Sequence, residues 1–304
     1  MTFAYSRSWL VRTDAIPLTP NLPLDERWHT GKAVSAYFDN LLPEVGVRDF
    51  VARALHISTG NVFALLERFG GDTAGALSLL SQGQLPSPKP RDLPVTHEAV
   101  RQCFASSRGI PLNLAGGEAR IALPGAQDKM AVLIAPTGAM TIPLEDAPSS
   151  HIVKPSMDHH AHLPQTAINE ALVMRLAAAI GLDVAPVRYA SELDAVVIAR
   201  YDRQWVDGHL QRLHQNDLCQ TLGIAPGHKY ESEGGPTLTM CCAAVMQHSS
   251  QPALDKKRLL EWWCSRWRLA TWTATPRTCL CWPRAGTLDL RPSTTWSARP
   301  SMSI

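Results

Sequence analysis

No apolar run in the 304-residue sequence approaches the roughly 18 residues of a membrane-spanning helix. At the N-terminus, Met1 to Ser6 places no charged stretch ahead of an apolar one, so no secretion signal is read there and a cytoplasmic protein is expected. The seven cysteines (Cys103, Cys219, Cys241, Cys242, Cys264, Cys279 and Cys281) are an odd number without paired CxxC spacing. That pattern supports neither a disulfide framework nor a zinc ribbon. GxxxxGK is absent, so no P-loop is read. Strong charge of one sign is missing too: the net charge is +2, and it is uneven. Residues 264–304 hold six Arg, no Lys, no Glu and one acid, Asp289, which leaves 23 basic and 26 acidic residues in the body, a net of −3. The sequence pI near 8.2 therefore comes from the tail and is no argument for nucleic-acid binding.

What is present fits a globular chain of two or three domains, with 45% apolar and 18% charged residues. Phe3–Leu10 reads as a strand. Gly31–Leu42 and Val45–Leu55 carry apolar residues at helical spacing. Ser58-Thr59 and Asp72-Thr73 are candidate N-caps for helices through Phe69 and Leu80. A proline-rich linker, Pro86–Arg91, marks a boundary. Helices are further expected over Thr96–Ala105, Gln165–Ile180, His214–Leu222, Leu238–His248 and Leu254–Trp263. Strands are expected over Val184–Tyr189 and Leu193–Arg200, with a hairpin from Tyr201 to near Leu213.

The chain is organised around Arg120–Lys154 and the helix carrying Glu170. A tight loop, Ile121–Lys129, precedes a strand, Met130–Ile134; a turn at Thr137-Gly138 leads to a second strand, Ala139–Pro143, and a third, His151–Lys154, ends in lysine. A lysine closing a buried strand, with an acid on the next helix, is how a kinase N-lobe holds triphosphate: the lysine neutralises phosphate oxygens and the glutamate fixes the lysine. From spacing alone, Lys154 as an ordinary surface lysine is the favoured reading, since most such ion pairs are worth little. Other clusters have plain explanations. Asp158, His159, His160 and His162 read as a solvated loop rather than a metal site, Cys241-Cys242 as helix core, and Gly234-Gly235 as a turn.

Several motifs in order resemble the HipA family, the serine/threonine kinase toxins of bacterial type II toxin–antitoxin modules. They are Tyr37-Phe38-Asp39-Asn40-Leu41-Leu42-Pro43, Gly70-Gly71-Asp72-Thr73-Ala74-Gly75-Ala76, Leu123–Lys129, His151–Pro155 and Asn169-Glu170. Arg200-Tyr201-Asp202-Arg203, Gln215–Gln220 and Lys229–Pro236 complete the set. The resemblance implies an α+β protein: a helical and strand N-terminal subdomain (1–85), a linker and helix (86–119), and a protein-kinase-like core (120–263, N-lobe and the start of a C-lobe). The tail, 264–304, is expected to be irregular and to stand where the C-lobe is truncated. The same resemblance implies ATP and Mg²⁺ as cofactors. Pro124, Gly125, Ala126, Gln127, Asp128 and Lys129 would touch phosphates, Lys154 would bind them, Glu170 would orient Lys154, and Ala199, Arg200 and Tyr201 would form a hinge facing adenine. It further implies a HipB-like helix-turn-helix antitoxin as partner, with DNA reached only through it. The substrate would be a protein such as an aminoacyl-tRNA synthetase, with no membrane involved. Two positions depart from the family: Ala122 stands where a regulatory autophosphorylated serine is expected, and Ala199 where a hinge acid is usual.

The expected catalytic loop, Asn-x-Asp-Gly-His-Ala-Lys-Asn, is missing, so no catalytic or metal-binding residue is assigned. Trp267–Trp282 has permitted codons that spell Ala-Leu-Gly-Asn-Leu-Asp-Gly-His-Ala-Lys-Asn-Leu-Ser-Leu-Leu two bases later, with the catalytic Asp codon straddling Trp272 and Thr273. The same offset hides Pro-Phe-Tyr-Asp-Leu-Val-Cys-Thr in Arg291–Arg299. Two hidden motifs at the right separation point to a frameshift near Trp263, and hence to a catalytically dead kinase or a pseudokinase that at most binds nucleotide or antitoxin. The tail tryptophans Trp267, Trp272, Trp282 and Trp296 follow as products of the shifted frame.

Overall fold

The computed structural model describes residues 1–43, 45–87, 89–106, 127–157, 165–228, 231–268, 279–281 and 289–290. The N-terminal part holds β1 (Thr2–Phe3), α1 (Arg7–Leu10), β2 (His29–Thr30), α2 (Lys32–Asp39), α3 (Val45–Ala54) and α4 (Val62–Phe69). The second half of the expected strand over Phe3–Leu10 is thus helix: Ser6 caps α1 by accepting from the Trp9 N–H. Asn61, not Ser58-Thr59, caps α4 by accepting from Ala64 N–H. The apolar face of α2 (Val34, Tyr37, Phe38) packs with Leu65, Leu66 and Phe69 of α4 and with Leu22, Leu41 and Leu42. Each such side chain taken fully out of water contributes about 1.5–3 kcal/mol.

The core begins with β3 (Asp92–Pro94) and α5 (His97–Ser106), followed by β4 (Met130–Ile134), β5 (Met140–Pro143), β6 (His151–Pro155) and α6 (Thr166–Ala179). Next come β7 (Val187–Ala190) and β8 (Ala195–Ala199). These six strands form one antiparallel sheet in the order β3-β5-β4-β6-β8-β7. Side chains alternate between its faces. Val153, Val197, Met130 and Val132 pack on one side with Val100 of α5. Val196 and Ile198 pack on the other with Ala167, Ala171 and Met174 of α6.

A hairpin of β9 (Arg203–Val206) and β10 (His209–Arg212) then turns through Asp207 and Gly208, both at positive φ (49° and 77°). That is the backbone a two-residue hairpin turn demands. The expected helix over His214–Leu222 is in fact a strand and a shorter helix, β11 (Gln215–Asp217) and α7 (Leu218–Leu222). Asp217 and Gln220 form a reciprocal capping box, which fixes the helix start at Leu218. Helices α8 (Leu238–His248) and α9 (Pro252–Arg268) join α6 and α7 around Cys241, Val245, Leu259 and Trp262.

The tail is not irregular throughout. Helix α9 continues five residues past Trp263, and β12 (Cys279–Cys281) pairs antiparallel with β11, with β13 (Asp289–Leu290) added outside it. Backbone pairing is available to any sequence, so β11 can take a partner strand whatever reading frame encodes it. Large apolar side chains nevertheless stay exposed on α8 and α9: Met240, Met246, Leu254 and Leu260. No helix among the described residues is long and apolar enough to cross a membrane.

Candidate functional site

Lys154 leaves β6 on the face that α6 covers, because Ile152 and Lys154 are two residues apart and Val196 stands opposite Lys154 in the register. Glu170 lies on the buried side of α6 with Ala167, Ala171 and Met174. Lys154 Nζ donates to Glu170 Oε1 at 2.6 Å, and the two side chains are 4% and 2% exposed. Exposed pairs of this kind contribute little. A buried pair is different: removing either partner strands a charge and costs about 3–5 kcal/mol. Placement on one strand and one helix holds this positive group between the sheet and α6 and gives it little freedom. Beside it, Ala131 and Ile152, paired across β4 and β6, form a small apolar patch on the same face.

The other expected site residues divide into three sets. Gln127 Nε2 donates to Pro155 O at 3.4 Å, so the end of the loop lies beside the lysine strand; Lys129 is buried just ahead of β4. Pro124, Gly125, Ala126 and Ala122 fall outside the described residues, as do Asp158, His159, His160 and His162. Ala199 ends β8 opposite His151, the first residue of β6, and Arg200 N–H donates to Ser150 O at 2.9 Å. The start of the lysine strand and the 199–201 segment are therefore adjacent, though the Arg200 side chain points elsewhere.

That side chain enters a buried charge cluster not anticipated from the sequence. Arg200 Nε and Nη2 donate to Asp202 at 2.9 and 2.7 Å, and its Nη1 reaches Asp72 Oδ2 at 3.2 Å. Arg203 Nη2 donates to Asp72 Oδ1 at 2.8 Å, and Arg212 Nε reaches the same oxygen at 3.2 Å. Thr73 O accepts from both Arg200 and Arg203, and Gly75 N–H donates to Asp202 Oδ2 at 2.7 Å. Burial alone would raise the Asp72 pKa, yet Arg203, Arg200 and Arg212 hold it well below the usual carboxylate range. Asp202 is likewise lowered against its burial by Arg200 and Arg203. Burial, and then the neighbouring Arg200, push Arg203 below its ordinary value. The expected helix starting at Asp72-Thr73 does not form; this carboxylate is an ion-pair partner rather than a helix cap. Asp72 and the Arg200–Arg203 segment stand far apart in the sequence, so no local signal marked the cluster.

Further bonds tie the N-terminal part to the core. Thr19 Oγ1 and Asn21 Nδ2 donate to Gln220 O, Asn40 Nδ2 donates to Ile224 O, and Gln220 Nε2 donates to Tyr37 O. Among the described residues, no group of three His, Cys, Asp or Glu side chains could hold a metal ion.

A lysine held by a helix carboxylate beneath an antiparallel sheet, joined to a separate helical part, defines a mixed α/β protein of two coupled parts. Two family models match the chain: HipA N-terminal domain over residues 1–80 and HipA-like C-terminal domain over residues 121–271. A putative kinase, Y4mE, of Sinorhizobium fredii is 41% identical over 268 residues, covering 85% of this chain and 63% of that protein. The serine/threonine-protein kinase toxin HipA of Shewanella oneidensis is 34% identical over 241 residues, covering 77% and 53%. The solved complex of Shewanella oneidensis HipA, HipB and operator DNA contains a chain that superposes with a TM-score of 0.82 at 26% identity, over 98% of this chain and 71% of that one. The chain belongs to the HipA family. It spans 63% and 53% of the length of those two curated relatives.

Proposed function

We propose that this chain is a kinase-family core that holds ATP by its phosphates and transfers none of them. The Lys154–Glu170 ion pair carries the reading: burial by itself asks for a paired charge, and this pair in addition fixes the lysine at one place between β6 and α6, the strand-lysine and helix-glutamate arrangement that holds phosphates in a kinase N-lobe. Lys154 would neutralise phosphate oxygens, Gln127, Asp128 and Lys129 would close over them, and Ala131 and Ile152 would offer apolar surface to the base. ATP would supply the transferable phosphoryl group. The catalytic aspartate and the metal-holding asparagine have no counterparts in this sequence, so the acceptor hydroxyl is not oriented and Mg²⁺ is not clasped. The test is a titration of ATP, with and without Mg²⁺, into the full chain, beside a radiolabel transfer assay. Saturable ATP binding without transfer is expected; transfer of label to any protein overturns the inactivity, and no binding overturns the reading itself.

A second reading concerns the chain with its frame restored: a toxin kinase using ATP and Mg²⁺ to phosphorylate a hydroxyl on a translation protein such as an aminoacyl-tRNA synthetase. It is favoured by the permitted codons of Trp267–Trp282, which spell the expected catalytic loop two bases later. A HipB-like antitoxin is the proposed partner in either case, in keeping with the Shewanella complex. Coexpression with such an antitoxin and copurification would test it.

A further inference from the structure

A single carboxylate from the N-terminal part grips three pieces of the core. Asp72 Oδ2 accepts from the Ser149 backbone N–H at 3.0 Å, from the Ser149 hydroxyl at 2.6 Å and from Arg200 Nη1 at 3.2 Å. Asp72 Oδ1 accepts from Arg203 at the start of β9 and from Arg212 at the end of β10. Ser149 lies two residues ahead of β6, the strand that carries Lys154, and Arg200 is the first residue after β8. These two attachment points are themselves linked, through Arg200 N–H to Ser150 O and Arg200 Nη1 to the Ser149 hydroxyl at 2.9 Å. The β6–β8 ladder sets the spacing of these strands, and a group outside the sheet braces the ends from which the lysine strand starts and the 199–201 segment leaves.

We propose that Asp72 is a positioning residue for the nucleotide site, so that docking of the N-terminal part sets how well the core holds ATP. This rests on the reading of the Lys154 face as that site. The charge balance gives the mechanism. Arg200, Arg203 and Arg212 share two carboxylates, Asp72 and Asp202. Without Asp72, three guanidiniums face one acid in a medium of low dielectric, and their repulsion is relieved by moving Arg200, which carries the 199–201 segment with it. Ser149 loses both of its bonds to Asp72 in the same event, freeing the start of β6. Both edges of the site would shift together.

The experiment titrates a fluorescent ATP analogue into the full-length wild type and into Asp72→Asn, Ser149→Ala and Val34→Ala chains, each checked for folding by circular dichroism and melting. Val34 is a fully buried core residue of the N-terminal part outside the cluster. Asp72→Asn should weaken binding by about two- to thirty-fold, the range of coupling changes seen for residues that touch neither ligand. Val34→Ala should lower the melting temperature and leave affinity unchanged, which a merely structural role for Asp72 would not separate. Affinity falling in step with melting temperature across all variants overturns the proposal, and so does unchanged affinity in a folded Asp72→Asn chain. If Asp72→Asn does not fold, Ser149→Ala decides: weaker binding supports the proposal and unchanged binding overturns it. A wild type that binds no analogue defeats the nucleotide reading first and this inference with it, whereas binding that is indifferent to the cluster defeats this inference alone.

Discussion

Lys154 Nζ and Glu170 Oε1 meet at 2.6 Å with both side chains out of water, one from a strand and one from a helix sixteen residues on. The pair's own contribution and its use can be separated. Lys154→Met or Glu170→Leu alone leaves an uncompensated buried charge and should destabilise the chain by about 3–5 kcal/mol, while the double variant should lie much nearer to wild type. Urea unfolding of all four chains measures this. ATP titration of the same set should show that every variant lacking Lys154 has lost binding, including the stable double variant. Retained binding in the double variant would remove Lys154 from the site.

His214 gives a pH dependence with a definite sign. Its Nε2 lies 2.9 Å from Leu18 O, and burial lowers its pKa from 6.5 to about 4 despite that bond. The unfolded chain takes up its proton near pH 6.5 and the folded chain only near 4. Between those values the unfolded state holds the extra proton, so stability falls as the pH falls, by on the order of 3 kcal/mol in all. Burial also lowers His151 and His248. The difference between wild type and His214→Gln isolates the one residue: the variant should lose the larger part of the slope between pH 6.5 and 4 in urea-unfolding titrations.

Two glycines with the same φ should respond differently to a methyl group. Gly75 and Gly83 are both at +83°. An added Cβ at Gly83 meets nothing within 4 Å, so Gly83→Ala should cost only the left-handed backbone penalty, about 1–2 kcal/mol. At Gly75 the Cβ would sit 3.2 Å from Gln215 Cγ and N and 3.3 Å from its O, and the Gly75 N–H is already committed to Asp202. Gly75→Ala should therefore be the more destabilising of the two in thermal melts, and equal effects would show that the joint yields more readily than its contacts imply.

Elements with a strong local pattern were legible in the sequence; those decided by distant partners were not. The helical spacing of apolar residues within Gly31–Leu42 placed α2, and the helix expected over Gln165–Ile180 matches α6 to within one residue at each end. The Lys154–Glu170 pairing was expected from the family resemblance, whereas spacing alone favoured an ordinary surface lysine, because burial of the pair depends on how α6 packs on the sheet. Asp72 and Gln215 were misassigned for the opposite reason. Asp72 looks like a helix cap until three arginines, more than 120 residues away in sequence, claim its oxygens. Gln215–Asp217 looks like the start of a helix until a strand from the tail pairs with it. Neither partner carries a local signature, so no window of the sequence around Asp72 or Gln215 contains the answer.

The tail offers the last test. The HipA-like C-terminal domain match stops at residue 271, and the permitted codons of Trp267–Trp282 spell a complete catalytic loop two bases later. The coding DNA should show that offset near codon 263. Removing it should yield a longer polypeptide in which Asp and Asn of the restored loop can hold Mg²⁺ and orient an acceptor, which is most of what phosphoryl transfer asks of a protein. The same change supplies chain to cover Met240, Met246, Leu254 and Leu260 on α8 and α9, apolar groups that now face water. Restoration should therefore lower binding of a hydrophobic dye and raise solubility even in a variant whose new aspartate is changed to asparagine. Only the chain with the intact aspartate should transfer label from ATP. Dye binding and catalysis thus read two consequences of one base change, and DNA that spells the loop in no register would refute both.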